Sequence, residues 1–401
     1  MLAVLGVVVA FAIIVSLRLR DIDFSISILA GSTVLALTSS SPLETLVEAI
    51  VRTFTDPNTF NLAAAVALIA VLGYSLKETS LMEELIDGLR GLLPARVLLA
   101  VIPAMFGLLT MPGGALMSAP FNEPEADRAG LKPEQKTYLN VWFRHLWYWA
   151  SPLSPVTILA ASLAGFPLMV YIKAQLPLFL VTVAIGFIVG NTFISDENPG
   201  RPEKGGGSAV VKGLAPIITA VVLSGVGVPV WLALAPGVVM VFALRGVPAG
   251  RALRMVRSGV RVDLIAAVVS MLFFRSVVIS SGSVDALFRA ITGLGIPLMA
   301  ILIAIPLLVG SISGTPTMGI GIVLPLILPL CGSYSVYVVG IIYAGLIAGY
   351  LASPMHLCLI LTNSYYKSDL RRVYRYLVPS AIALYVSAIA YNTFMNGGVP
   401  V

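Results

Sequence analysis

Charge is scarce in this chain. Asp, Glu, Lys and Arg make up 11% of its 401 residues and hydrophobic residues 58%, whereas soluble domains carry about 25% charged residues. A water-soluble globular domain is excluded. Cysteine is scarcer still: Cys331 and Cys358, both in or beside apolar segments, support neither a disulfide framework nor a metal cluster. No span carries a buried carboxylate pair, so a carboxylate proton relay has no residues to use. The phosphate-cradling G-x-x-x-x-G-K-[ST] is missing, which removes nucleotide-driven pumping, and H-E-x-x-H and G-x-S-x-G are missing too. The chain is therefore expected to be no enzyme and to need no cofactor, apart from sodium as a coupling ion. A net charge of +6 does not indicate nucleic-acid binding, because the basic residues sit in short loops.

Long apolar sequence is what the chain has in quantity. The runs are continuous rather than alternating, which favours helices over a barrel in lipid. Spans are expected near 2–17, 24–39, 61–77, 139–165, 174–191, 214–227, 229–244, 263–279, 336–364 and 376–393. The start of the chain lacks a leading basic region and a small-residue cleavage site, so it reads as a retained first span. Two further stretches, 96–121 and 297–331, are broken by Met111-Pro112-Gly113-Gly114 and by Ser311-Ile312-Ser313-Gly314-Thr315-Pro316-Thr317. These read as re-entrant hairpins. Segments 43–54 and 81–93 are amphipathic and too polar to span, so they are expected along the interface.

One run occurs twice. Ala150-Ser151-Pro152 returns 202 residues later as Ala352-Ser353-Pro354, each inside an apolar segment. At the same offset Ile158, Leu159, Ser162, Leu168 and Pro177 meet Ile360, Leu361, Ser364, Leu370 and Pro379. Leu62, Ala64, Ala65 and Val66 meet Leu264, Ala266, Ala267 and Val268. Two halves that each interrupt a span at corresponding positions point to a binding site at the bilayer midplane.

Charge orients the halves. With the amino terminus outside and both hairpins re-entrant, inside loops collect 20 of the 25 Lys and Arg. Equivalent loops exchange their charge: 40–60 has one Arg, whereas 245–261 has five. Five spans per half also turn the second half over. The expectation is an all-α integral membrane fold of about ten spans plus two hairpins, in two inverted-topology repeats, 1–194 and 213–401. A polar linker at 195–212 is expected in the cytoplasm, and both termini outside the cell membrane.

An interrupted helix exposes N–H groups that attract anions and carbonyls that coordinate cations. Candidate ligands at the breaks are Ser151, Pro152, Ser154, Thr157, Ser353, Pro354, Thr362 and Asn363. At the hairpin tips they are Thr110, Gly113, Gly114, Ser311, Ser313, Gly314, Thr315 and Thr317. Any single hydroxyl among these can equally bond back onto its own helix. His356, just after the second break, is either a ligand and proton sensor or a helix-packing histidine. Arg144 and His145, among Trp142, Trp147, Tyr148 and Trp149, read as an interfacial aromatic belt. Arg275 reads as snorkelling, and Asn61 and Asp263 as helix caps.

Two halves, each with a hairpin and a span broken at Ser-Pro, resemble the ion transporter superfamily of inverted-repeat carriers. Gly314 to Ile327 (GTPTMGIGIVLPLI) and Ser151 to Pro155 (SPLSP) are most similar to a prokaryotic multispanning membrane-protein branch of it. The resemblance implies a dimeric elevator carrier, with sodium between each hairpin tip and the neighbouring break. That would place it between Thr110–Gly114 and Ser151–Ser154, and between Ser313–Thr317 and Ser353–Asn363. The Ser-Asn-Thr signature of its dicarboxylate carriers is replaced here by MPGG and SGTPT. The expected function is cation-coupled (sodium or proton) secondary transport of a small anionic organic solute, as a homodimer in the lipid bilayer. The alternatives are a cation/proton antiporter of the same fold, or a membrane scaffold or lipid-acting enzyme.

Overall fold

A computed structural model of the chain describes residues 2–20, 22–108, 114–193, 206–283, 286, 289–290 and 295–398. These residues are all-helical, with no strand among them. The first half runs α1 (Leu2–Leu19), α2 (Phe24–Leu37), α3 (Pro42–Thr55), α4 (Pro57–Glu78), α5 (Leu81–Arg90), α6 (Ala95–Leu108), α7 (Gly114–Arg128), α8 (Pro133–Arg144), α9 (Pro155–Ala164) and α10 (Leu168–Asn191). The second runs α11 (Gly207–Gly225), α12 (Val230–Leu244), α13 (Ala249–Gly259), α14 (Val262–Ser280), α15 (Leu298–Ser313), α16 (Pro316–Ile327), α17 (Val336–Ala352), α18 (Leu357–Tyr366) and α19 (Leu370–Met395). Of the expected linker, 195–205 lies outside the described residues, and α11 already begins at Gly207, before the expected boundary at 212.

Local chemistry sets these bounds. Proline at the first helical position starts α3, α4, α8, α9 and α16, where its missing N–H is not needed. Asp23, Asp56, Ser154, Ser335 and Asp369 accept backbone N–H groups at the starts of α2, α4, α9, α17 and α19. By length and composition six segments among the described residues can cross a membrane: 57–78, 168–191, 207–225, 262–280, 336–366 and 370–395. The other apolar helices are shorter.

The helix bounds repeat at the offset found in the sequence. α9 (155–164) and α18 (357–366) start and end 202 residues apart, α10 and α19 start 202 apart, and so do α7 and α16. The packing repeats with the halves exchanged. α9 packs on α16 as α18 packs on α7, and α8 packs on α19 as α17 packs on α10. Elements from both halves therefore build one bundle of α6–α10 with α15–α19, and another of α1–α5 with α11–α14. The bundles touch mainly through α14 on α16, with smaller contacts of α4 on α9 and α5 on α6.

Close approach inside the first bundle depends on glycine. A Cβ on Gly310 would overlap the Leu346 carbonyl, and one on Gly349 the Leu307 carbonyl, so α15 and α17 meet backbone to backbone. At one end, Glu125 (2% exposed) sits between Arg90 and Arg128, 3.3 Å from each, and Lys136 pairs with Asp127. That cluster ties α5, α7 and α8 together.

Candidate binding site at two crossed helix interruptions

Both segments carrying Ser-Pro are interrupted. The first stops at Arg144, passes through a 3-10 turn at Leu146–Tyr148 and resumes at Pro155. The second stops at Ala352 and resumes at Leu357. The same local bond shapes both turns. Ser151 Oγ accepts the Leu153 N–H at 3.1 Å, and Ser353 Oγ accepts the Met355 N–H at 3.1 Å. Serine suits these positions because its hydroxyl replaces a backbone partner lost at the break.

The two breaks meet. Tyr343 on α17 donates its hydroxyl to the Tyr148 carbonyl at 2.7 Å, and Thr157 donates to the same oxygen at 2.9 Å. A carbonyl released by the first break is thus satisfied twice, once from the other half. Asn140 Nδ2 donates to Thr362 Oγ1 at 3.1 Å, joining α8 to α18. His145 and His356 lie edge to face with ring centroids 4.8 Å apart, and Tyr350 covers His356 at 4.0 Å. The carbonyl of Val141 can only accept, so the 2.6 Å contact places a proton on His145 Nδ1; in the neutral ring Nε2 is then the acceptor.

The second hairpin tip rests on the second break. Gly314 is left-handed (φ +65°), and a Cβ there would stand 3.1 Å from the Met355 carbonyl. Ser353 Oγ donates to the Ser311 carbonyl at 2.6 Å, and Ser313 Oγ donates to the Thr315 carbonyl at 3.1 Å. Not every candidate hydroxyl is free for a ligand. Ser311 Oγ turns back on Leu307 O (2.8 Å), Ser154 Oγ caps α9 by accepting from Thr157 N–H (3.4 Å), and Asn363 Oδ1 accepts from Ser368 (2.6 Å). Thr315 and Pro354 are exposed, Thr317 is half-buried, and Pro152 is buried. Thr110 and Gly113 lie outside the described residues, while Gly114 opens α7.

Three sequence expectations need correction. The aromatic run is no interfacial belt: Trp142 and Trp149 are each 1% exposed, and Trp147 donates to the Ala104 carbonyl at 2.7 Å. These rings are buried inside the bundle, with Trp142 donating to the Thr182 carbonyl of α10 at 2.9 Å. Asn61 does not cap α4. Asp56 does, and Asn61 accepts from Trp231 Nε1 at 3.0 Å. Asp263 sits inside the first turn of α14 and binds Arg261 through both carboxylate oxygens, at 2.8 and 2.5 Å.

Arg144 decides the electrostatics. It is 7% exposed and forms no hydrogen bond or ion pair with any described residue, and its Nη1 is buried without an acceptor. Glu125, Glu134 and Lys136, also buried, each have an opposite charge within reach. An uncompensated buried charge is expensive, so this one calls for an external counter-ion. His145, Tyr148 and His356 lie within its electrostatic reach. The ligand atoms of His145, His356 and Cys358 come within 4.8 Å of one another, a set able to hold a soft metal ion. The guanidinium beside them favours an anion instead. Sequence reading missed Tyr343 and Asn140, and assigned Arg144 to an interfacial belt. The available signal was Asn140 and Arg144 one helical turn apart within an apolar segment.

A family described as "Protein of unknown function (DUF401)" matches residues 2–394. The chain belongs to the DUF401 family. No curated protein sequence matches it. Among solved structures, the DUF401 chain is similar to the Alcanivorax borkumensis YdaH transporter, with a TM-score of 0.64 at 16% identity. The match covers 90% of this chain and 91% of that one, so the fold is shared over nearly the whole length.

Proposed function

We propose that this DUF401 protein is a secondary transporter of a small anionic organic solute, bound where the two interrupted helices cross. The unpaired, buried guanidinium of Arg144 carries this reading. The solute's carboxylate would supply the counter-charge that no described residue offers. Asn140, Ser151, Thr157, Tyr343, Ser353 and Thr362, which lie at or pack on the two breaks, would offer the solute further polar contacts once their present partners are exchanged. The fold shared with a protein named as a transporter supports the same reading.

The 202-residue offset of helix bounds and the exchanged packing support two inverted repeats of five spans. On that reading both termini lie outside and the linker near 195–212 is cytoplasmic. The bundle of α6–α10 and α15–α19 carries the site and moves as an elevator against α1–α5 and α11–α14, the part that would form a homodimer. The resemblance to the ion transporter superfamily belongs with this proposal, as does coupling to sodium or protons. Sodium would use carbonyls near Ser313–Thr317 and Ser353–Asn363.

A second reading, cation/proton exchange, rests on the His145–His356 pair, since these are the chain's two histidines and both are buried. Uptake of labelled mono-, di- and tricarboxylates into proteoliposomes, under imposed sodium or proton gradients, separates the two. Gradient-driven uptake of an anion that disappears in Arg144→Gln supports the first. Proton flux driven by a cation gradient, with no anion moved, supports the second.

A further inference from the structure

α14 carries an arginine that the bundle leaves alone. Arg275 is half-buried and forms no hydrogen bond or ion pair with any described residue. It lines a cavity of about 290 Å³ between α3, the start of α4 and α14. Thr59 lines the same cavity. It is 7% exposed, and its buried hydroxyl has no partner. Asp56 lines it too, with one carboxylate oxygen capping α4 through the Asn58 N–H at 2.9 Å. Arg52, also in the wall, is already tied to Glu48 at 2.6 Å. Thr53 donates to Ser276 at 3.1 Å and fixes α3 against α14. Ile279 borders the space and is 47% exposed, as a lipid-facing side chain would be.

This cavity stands apart from the duplicated machinery. The residue 202 positions before Arg275 is Gly73, so the other half has no counterpart. An arginine in an apolar helix needs an anion, and a guanidinium with an adjacent hydroxyl donor matches tetrahedral phosphate oxygens. The free oxygen of Asp56, unneutralised by Arg275, would repel a purely anionic ligand and attract an ammonium. Apolar, lipid-facing surface adjoins the opening. We infer that the cavity binds the headgroup of an amine-bearing phospholipid, with its phosphodiester on Arg275 and Thr59 and its ammonium on Asp56. The lipid anchors the α3–α4–α14 corner in the leaflet and is independent of the transported solute.

Native mass spectrometry of the intact purified protein tests this, with phosphatidylethanolamine, phosphatidylglycerol, phosphatidylcholine or inorganic phosphate added separately. Wild type is expected to retain phosphatidylethanolamine best, and Arg275→Gln to lose that adduct by about tenfold, the loss of a charge-assisted contact. Arg275→Lys should keep part of it. Asp56→Asn, which preserves capping, should still bind phospholipid but no longer favour the ethanolamine over the glycerol headgroup. Unchanged adducts in a folded Arg275→Gln protein would overturn the proposal. So would inorganic phosphate binding in an Arg275-dependent way while no phospholipid does, because the ligand would then be a soluble anion.

Discussion

His145 and His356, more than 200 residues apart in the chain, stack edge to face with ring centroids 4.8 Å apart. Each sits at the interruption of its own helix, so the contact registers the two breaks against each other. Arg144, one residue before His145, brings the only positive charge among the described residues that is buried without a partner.

Removing that charge should separate binding from folding. In Arg144→Gln or Arg144→Met the apo protein is expected to melt a few degrees higher, since an uncompensated buried charge is relieved. Organic anions should then no longer raise the melting point, whereas in wild type they should raise it with concentration. Thermal-shift titrations of both proteins check this. A lower apo melting point would mean that Arg144 has a structural partner.

Tyr343 and Thr157 donate to one carbonyl, that of Tyr148. Tyr343→Phe or Thr157→Val alone leaves the oxygen one donor and should cost about 1 kcal/mol. The double variant leaves it buried and unsatisfied, so the loss should exceed the sum of the singles by about 1–2 kcal/mol. Denaturation of the four proteins in one detergent measures the excess. Simple additivity would show that water or another group reaches the carbonyl.

The backbone contact of α15 with α17 leaves no space for a methyl group. Gly310→Ala and Gly349→Ala should each destabilise by about 1–3 kcal/mol or more, the range for overpacking, and lower the yield of folded protein. Gly250→Ala, where nothing approaches the new methyl, serves as the control and should be neutral.

Cys358 lies beside the paired histidines and is half-buried. In a Cys331→Ser background, a maleimide is expected to modify Cys358 and to abolish anion-induced stabilisation. A bound anion should slow the labelling several-fold. Labelling at the same rate with and without saturating anion would place the ligand elsewhere.

Much of the fold was legible because lipid makes apolar length an almost direct statement of helix position. The hairpin 297–331 and the breaks at Ser151-Pro152 and Ser353-Pro354 fall where small residues and proline interrupt apolar runs. The site was harder to read. Trp142 to Trp149 carry the composition of an interfacial belt, and composition alone does not tell a ring facing headgroups from one buried inside the bundle. Arg144 was misplaced for the same reason. Whether a charge in an apolar segment snorkels or stays unpaired depends on what the other half brings to it, and the sequence of one half does not contain that. Ser154 and Ser311 show the limit from the other side: hydroxyls promising as ligands are used by their own helices.

The opposite charge of α3 and α13 makes the inverted arrangement testable. Both helices are amphipathic, but α3 carries Glu44, Glu48 and Arg52, and α13 carries Arg251, Arg254 and Arg257. Single cysteines at Leu43 and Arg254 should label from opposite sides of intact cells with a membrane-impermeant reagent, Leu43→Cys from outside and Arg254→Cys only after lysis. Labelling of both from one side would remove the inverted repeat.

The most direct measurement is an anomalous-scattering or electron-density difference map of the protein soaked with a brominated organic acid that raises its melting point. A bromine peak at the crossed interruptions, with the carboxylate on Arg144 and lost in Arg144→Gln, is the expected result. An ordered anion elsewhere, with Arg144 pairing to a protein carboxylate, would contradict a cargo site at the two breaks.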